Sequence, residues 1–157
     1  MTSDMIIKIV SGVISTLGFA ILFKLKPKHM PFSMLCGLVA CLVYFPLNNE
    51  LNSIFISNFF AAFATALTAE ILAIICKTPT TAFLITGCIT LVPGSMLFYG
   101  MTNLLEQNYG KAADYLFMTL NVGVAIGGGI IASSLVRVLI KYPIIQFRKI
   151  KLNKEKK

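Results

Sequence analysis

Five long apolar runs, separated by short polar segments, account for most of the chain. A helix crosses the hydrocarbon core of a bilayer with about 20 predominantly apolar residues, and four of the five runs approach or exceed that length. The pattern therefore predicts an all-α membrane protein with about five transmembrane helices. The predicted spans are residues 5–23, 32–45, 54–76, 81–101 and 113–140, and the predicted connections are residues 24–30, 47–53, 77–80 and 102–112.

Prolines alter this picture in two of the runs. The second run is bounded by Pro31 and Pro46 and is short for a crossing, so a tilted, bilayer-thinning or partly re-entrant segment is expected there. The fourth run contains Pro93 and Gly94 near its centre. A proline inside a helix costs about 3 kcal/mol, and in lipid no water satisfies the freed carbonyls. The fourth helix is therefore predicted to be interrupted at Pro93-Gly94, within protein or beside a polar cavity.

The composition excludes a soluble protein. Hydrophobic residues make up 57% of the chain and charged residues only 13%, whereas soluble domains carry about 25% charge. We therefore predict one transmembrane domain, residues 1–141, and a basic C-terminal tail, residues 142–157. The net charge of +8 indicates anionic lipid beside this tail rather than nucleic acid.

The distribution of positive charge predicts an orientation. Twelve of the fourteen basic residues fall in the first connection, in the third connection and at the C-terminal end. Basic residues are enriched on the cytoplasmic side of membrane proteins. We therefore expect the N-terminus outside the cell and the C-terminus in the cytoplasm.

Enzymatic and metal chemistry have little support in the sequence. The four cysteines lie in or at the ends of apolar runs without CxxC spacing, and His29 is the single histidine. Structural zinc sites need four such ligands at characteristic spacings. The sequence also lacks a nucleophile–base pair and a phosphate-binding loop. We expect neither an enzyme nor a bound metal or cofactor.

Glu70 is an acidic residue well inside an apolar run, and such carboxylates tend to mark ion or substrate pathways. It lies seven residues before Lys77, roughly 10 Å from the helix end at 1.5 Å per residue. Across the next hairpin, Gly87 is expected to allow close approach of the third span. We hypothesise that Glu70, Thr86 and Thr90 form a polar patch in the cytoplasmic half of a pathway. The alternative is a carboxylate near the membrane interface that snorkels or caps a neighbouring helix end.

The residues after the interruption suggest a binding element. Ser95 follows Pro93 and Gly94 as the residue that would restart a helix, and the free amides at such a restart favour carboxylate groups. The alternative is a kinked helix packed against its neighbours. Asn121, in the fifth run, is expected to contact substrate or to hydrogen-bond across helices.

Glycines in the fifth run indicate close helix packing. Gly127, Gly128 and Gly129 are consecutive and are predicted at the depth of the interruption, and Gly123 with Gly127 forms a GxxxG element. Small residues allow helix backbones to approach one another in membranes. We expect Gly123 and the triple glycine to contact another helix or a substrate.

A set of short motifs is spread over residues 69–101. It comprises Ala69-Glu70-Ile71-Leu72, Lys77-Thr78-Pro79, Phe83-Leu84-Ile85, Gly87, Leu91-Val92-Pro93-Gly94 and Tyr99. As a set it resembles the bacterial threonine/serine exporter family, and the chain length is similar to that of its short five-span subunit. Thr86 and Thr90 stand where the family commonly has proline.

The resemblance implies secondary export of small amino or carboxylic acids, coupled to a proton gradient. It also implies a bacterial cell membrane and a longer partner subunit, since the chain is similar to one half of the single-chain members. Further copies of the chain itself are the other partner considered. The competing hypothesis is a membrane scaffold or assembly subunit without substrate contacts of its own.

Overall fold

The computed structural model describes the backbone of residues 3–154 and the side chains of residues 5–139. Within that range the chain is helical, and no strand occurs. Short 3-10 turns, Pro27–His29 and Ile89–Leu91, lie before the second helix and after the fourth. The helices are α1 (Ser3–Leu22), α2 (Met30–Leu51), α3 (Ile54–Cys76), α4 (Thr80–Cys88), α5 (Gly94–Leu105) and α6 (Tyr109–Lys154).

The helices match the predicted all-α membrane architecture. Four of them, α1, α2, α3 and α6, are long and apolar enough to cross a bilayer. Helices α4 and α5 pass the same test only together, and they are bent by 56° at a short break. Counting this pair as one span gives five, and the predicted interruption of the fourth span is confirmed.

The second span is not short, so the predicted limits at Pro31 and Pro46 are wrong. Pro31 lies in the first turn of α2, where its missing amide would have no acceptor within the helix. Pro46 lies inside α2 with its ring exposed, and it removes only one backbone bond near the end. The helix continues to Leu51, and Asn52 ends it in the left-handed conformation, with its amide donating to the Asn48 carbonyl at 3.2 Å. The predicted connection of residues 47–53 therefore shrinks to two residues.

The last helix also extends further than the apolar pattern. Helix α6 continues to Lys154, so the predicted boundary between residues 141 and 142 falls within a continuous helix. The side chains of the predicted basic tail lie outside the described residues.

Helix α3 is the centre of the bundle, because it packs against α2, α4 and α6. Helix α1 packs mainly on α2, and α5 packs on α6. The buried face of α3 consists largely of small residues, among them Ala61, Ala62, Ala66 and Ala69. Without a hydrophobic driving force between helices in lipid, such faces associate through close van der Waals contact.

Two core clusters divide the bundle along its length. One contains Cys36, Ala69, Leu72, Ala73 and Phe83, and Leu25 and Cys76 pack against it. This cluster therefore lies at the end that carries the α1–α2 connection with its three lysines and the α3–α4 turn with Lys77. We call it the basic end. The other cluster contains Ala40, Ala61, Ala62 and Leu91 and lies nearer the break.

Two glycines permit close contact of α4 and α6 with the central helix α3. A β-carbon on Gly87 would lie 2.8 Å from side-chain atoms of Cys36 in α2 and of Thr65 in α3. A β-carbon on Gly129 would lie 2.5 Å from the Phe59 carbonyl oxygen of α3. Glycine at these positions sets the spacing of α4 and α6 from the central helix.

Candidate functional site

The break between α4 and α5 is built from a 3-10 turn and two non-helical residues. Val92 is extended, with φ −65° and ψ 126°, and Pro93 has φ −80° and ψ 63°. The Gly94 amide donates to the Val92 carbonyl at 2.8 Å, and the Leu97 amide donates to the Pro93 carbonyl at 3.2 Å. Pro93 has no amide to donate, and a proline ring crowds the carbonyl one turn earlier. Here the helix ends, and it restarts at Gly94 in a new direction.

A cavity of about 130 Å³ lies against the break. It contains three of the predicted site residues, Thr90, Pro93 and Ser95. Its remaining lining residues are Tyr44, Ile54, Asn58, Leu91, Met96 and Val122, from α2, α3, the 3-10 turn, α5 and α6. Residues from five parts of the chain therefore lie on one side of the interrupted backbone, while Val92, Gly94 and Ser95 are exposed.

Asn58 is the polar residue of this cavity that the sequence analysis missed. It is 2% exposed, and its side-chain amide donates to the Ile54 carbonyl one turn earlier at 2.7 Å. Its position in the first turns of an apolar run was a usable signal, because polar side chains inside membrane spans usually face the protein interior.

Thr90 also borders a second concavity on the other side of the break. This open groove of about 430 Å³ runs between α1, α2 and the 3-10 turn. Its polar lining residues are Lys8, Ser11, Ser15 and Thr90. The Thr90 hydroxyl itself donates to the Gly87 carbonyl at 2.9 Å. The break is therefore bordered by polar side chains on two faces.

Glu70 lies elsewhere, in a cavity of about 190 Å³ at the basic end. Its side chain is 10% exposed, and one carboxylate oxygen lies 3.6 Å from a guanidinium nitrogen of Arg137 in α6. The other lining residues are Ala66, Thr80, Thr81, Leu84, Ile130 and Ser134. The sequence analysis did not pair Glu70 with Arg137, because nothing local relates two residues so far apart.

The hypothesised grouping of Glu70 with Thr86 and Thr90 does not occur. Neither threonine lines the Glu70 cavity. Thr86 is fully buried toward α2, where the Ser33 hydroxyl donates to its oxygen at 2.7 Å. The rotation of α4 about its axis, which the sequence does not encode locally, decides this outcome.

The remaining predicted site residues do not line the break cavity. Asn121 is exposed on α6, and its neighbour Val122 faces the cavity instead. A β-carbon on Gly123 or Gly127 would have no neighbour within 4 Å, whereas one on Gly128 would lie 3.4 Å from the Phe59 ring. Of the glycines in α6, Gly129 and Gly128 therefore face α3, and Gly123 and Gly127 leave an open surface.

The described residues hold no cluster of three or more histidine, cysteine or acidic side chains that could bind a metal ion. The four cysteines are free thiols, and Cys36, Cys41 and Cys88 are buried in helix contacts. The polar groups of the break cavity and the Glu70 cavity are thus hydroxyls, an amide, one ion pair and the interrupted backbone.

Comparison with known proteins identifies one family. The family model described as Threonine/Serine exporter, ThrE, matches residues 8–136, which include most of α1, all of α2 to α5 and most of the apolar part of α6. No curated protein and no solved structure matches the chain.

Proposed function

Because the chain belongs to the threonine/serine exporter family, we propose that it is a membrane subunit of a secondary exporter of small amino acids or related small carboxylic acids. We further propose that it works with a longer partner subunit and is driven by a proton gradient. The observation that carries the proposal is the break between α4 and α5, which opens onto a cavity lined by polar side chains.

The break supplies groups that recognise a small polar solute. The first amides of α5 have no acceptor within the helix, and the aligned peptide dipoles place partial positive charge there. Ser95 and Asn58 add a hydroxyl and an amide beside them. Discontinuous membrane helices use the same arrangement to bind anionic substrate groups. The carboxylate shared by amino acids and small carboxylic acids suits this element.

The size of the cavities supports a partner subunit. The break cavity and the Glu70 cavity measure about 130 and 190 Å³, and they share no lining residue. Ligand pockets more often measure about 300–1,000 Å³. Helix α5 packs on α6, so much of its surface is open to another protein. We infer that a second membrane half completes the path along α5.

The charge pattern supports the orientation of the subunit. The α1–α2 connection and the α3–α4 turn place their lysines at the same basic end, and Arg137 contacts Glu70 there. We propose that the basic end faces the cytoplasm of a bacterial cell and that the N-terminus lies outside.

A membrane scaffold without substrate contacts is the alternative function. A scaffold needs small and apolar faces for packing, which α3 and α6 provide. It gives no reason for the polar residues around the break, and this favours the transport role.

The test is export of labelled threonine, serine and succinate from cells that make the chain with its longer partner, compared with cells that make either protein alone. Ser95→Ala removes a hydroxyl from the break cavity. Its matched control is Thr102→Ala on the same helix, where the hydroxyl donates to the Phe98 carbonyl at 3.0 Å away from the cavity. We expect export only with both proteins, and a lower rate with Ser95→Ala than with Thr102→Ala.

Two results would contradict the proposal. If no combination exported any of the three compounds, the transport role would be wrong. If Ser95→Ala and Thr102→Ala assembled with the partner and exported equally well, the break would have no substrate contact at Ser95, and the scaffold function would be favoured.

A further inference from the structure

The ion pair of Glu70 and Arg137 joins the central helix to α6 at the wall of the basic-end cavity. The separation of 3.6 Å between the carboxylate oxygen and the guanidinium nitrogen exceeds the roughly 2.7–2.9 Å of a charge-assisted hydrogen bond. Among the described side chains, no hydrogen bond to either group occurs. The two charges thus face one another with their hydrogen-bonding positions still available.

We propose that Glu70 and Arg137 together bind a zwitterionic amino acid, with the carboxylate of Glu70 accepting the ammonium group and the guanidinium of Arg137 donating to the carboxylate. This inference rests on the proposed export function and names the site at which the substrate is first bound. It is separate from the break cavity, with which the Glu70 cavity shares no residue.

Structural stabilisation alone explains the pair poorly. A carboxylate that is 10% exposed in a membrane helix is costly. Its partner Arg137 is 48% exposed, so the protein encloses only one of the two charges. An accessible guanidinium beside a nearly buried carboxylate is, by contrast, suited to exchange one partner for a ligand.

The chemistry of a zwitterion matches the pair on both sides. The planar guanidinium presents two parallel donors to a carboxylate, and the Glu70 carboxylate accepts from an ammonium group. A ligand between them requires the two groups to move apart beyond their 3.6 Å separation. Each of the four charges then has an opposite neighbour, and the site stays neutral. A ligand with a single charge would leave one protein charge without a partner, which is unfavourable at low exposure.

The rest of the cavity suits a small hydroxylated side chain. The hydroxyls of Thr80, Thr81 and Ser134 line it, together with an apolar wall formed by Ala66, Leu84 and Ile130. Thr80 and Thr81 lie in the first turn of α4, where no helical carbonyl lies one turn earlier to accept from them. These hydroxyls differ in this respect from that of Thr65, which donates to the Ala61 carbonyl.

The location agrees with the direction of transport. The cavity is at the basic end, which the proposed orientation places in the cytoplasm. An exporter collects its substrate on that side, so a recognition site at this end is where binding begins.

The experiment measures binding to membranes that contain the full chain and its longer partner. Labelled L-threonine is displaced by three unlabelled compounds: L-threonine, 1-amino-2-propanol, which lacks the carboxylate, and 3-hydroxybutyrate, which lacks the ammonium group. The variants are Glu70→Gln and Arg137→Gln. The matched controls are Glu106→Gln, at the opposite end, and Lys77→Gln, at the basic end but outside the cavity.

Each variant is expected to weaken the binding of only one charged group of the ligand, either its ammonium group or its carboxylate. Glu70→Gln should weaken L-threonine and 1-amino-2-propanol roughly ten- to a hundredfold, as expected for loss of a charged hydrogen bond. It should leave 3-hydroxybutyrate bound as tightly or more tightly, because the charge that this ligand leaves without a partner is gone. Arg137→Gln should weaken L-threonine and 3-hydroxybutyrate and, for the same reason, leave 1-amino-2-propanol bound as tightly or more tightly. Neither control should change any affinity more than twofold.

Glu70→Asp and Arg137→Lys, which keep the charges, serve where the amide variants fail to assemble, and each should show the same selectivity with a smaller shift. An equal loss of affinity for all three ligands, or no loss, would show that the pair is structural and would overturn the inference. Threonine export that neither Glu70→Gln nor Arg137→Gln changes would also overturn it. If the native complex exported none of threonine, serine and succinate, the proposed function would fail and the inference with it.

Discussion

The three consecutive glycines of α6 make a sharp test of the packing between α6 and α3, because a side chain added at each of them would point in a different direction. A β-carbon on Gly129 would lie 2.5 Å from the Phe59 carbonyl oxygen, 3.0 Å from the Phe63 amide nitrogen and 3.1 Å from the Ala62 β-carbon. A β-carbon on Gly127 would have no neighbour within 4 Å. Replacing Gly129 or Gly127 by alanine therefore adds the same methyl group to the same helix in two different surroundings.

The expected free energies of unfolding follow from these distances. At Gly129 the two nearest atoms belong to the α3 backbone, so the helices must separate, and overpacking of this kind costs about 1–3 kcal/mol. At Gly127 the methyl meets no atom, and alanine is favoured over glycine within a helix by roughly 0.5–1 kcal/mol. This gain applies equally at Gly129, so the two variants should differ by the overpacking cost alone, about 1–3 kcal/mol. Gly128→Ala should fall between them, since its methyl would contact only the Phe59 ring at 3.4 Å.

The measurement is reversible unfolding of the purified chain in mixed micelles titrated with SDS, followed by far-UV circular dichroism. Gel filtration before the titration shows whether each variant remains monodisperse. If the free energies of unfolding of Gly127→Ala and Gly129→Ala differed by less than about 0.5 kcal/mol, the described contact between α6 and α3 would be wrong.

The remaining predictions concern α4 and the orientation of the bundle. Gly87→Ala should destabilise the chain by about 1–3 kcal/mol in the same titration, because its methyl would lie 2.8 Å from side chains of both α2 and α3; an unchanged midpoint would argue against that spacing. A double-mutant cycle of Ser33→Ala and Thr86→Val should give a coupling free energy of about 0.6 kcal/mol and at most about 1.7 kcal/mol, typical of hydrogen bonds between membrane helices. Additive effects of the two substitutions would show that this bond does not form. With the half-exposed thiol of Cys76 replaced by serine, Lys77→Cys should react with an impermeant maleimide only in inside-out vesicles, and Glu106→Cys only in intact cells. The opposite pattern would reverse the proposed orientation.

Much of the fold could be predicted from the sequence, because span length and helix interruption depend on neighbouring residues. The third run was predicted with the limits that α3 has, residues 54–76. The break at Pro93 was also predicted, since the missing amide acts within one turn of the helix. The same reasoning failed at Pro46, where the ring is exposed and the helix loses one bond near its end. Whether a proline ends a helix thus depends on its surroundings as well as on its chemistry.

The candidate sites were only partly predictable. Thr90, Pro93 and Ser95 do line one cavity, because they lie within six residues of one another at the break. Asn58 and Tyr44 complete that cavity from other helices, and no local pattern relates them to the break. Thr86 was expected beside Glu70 and lies against Ser33 instead, because sequence spacing gives depth along a helix and leaves its rotation open.

The sequence by itself determined that the chain is a helical membrane protein, how many spans it has, which span is interrupted and which end is basic. Each of these follows from the length, hydropathy and charge of contiguous segments. Only the tertiary structure decided that α3 is central, that Glu70 faces Arg137, and that Gly129 rather than Gly127 contacts α3. These depend on how each helix is rotated and spaced against its neighbours, and that is set by the fit of side chains from distant parts of the chain.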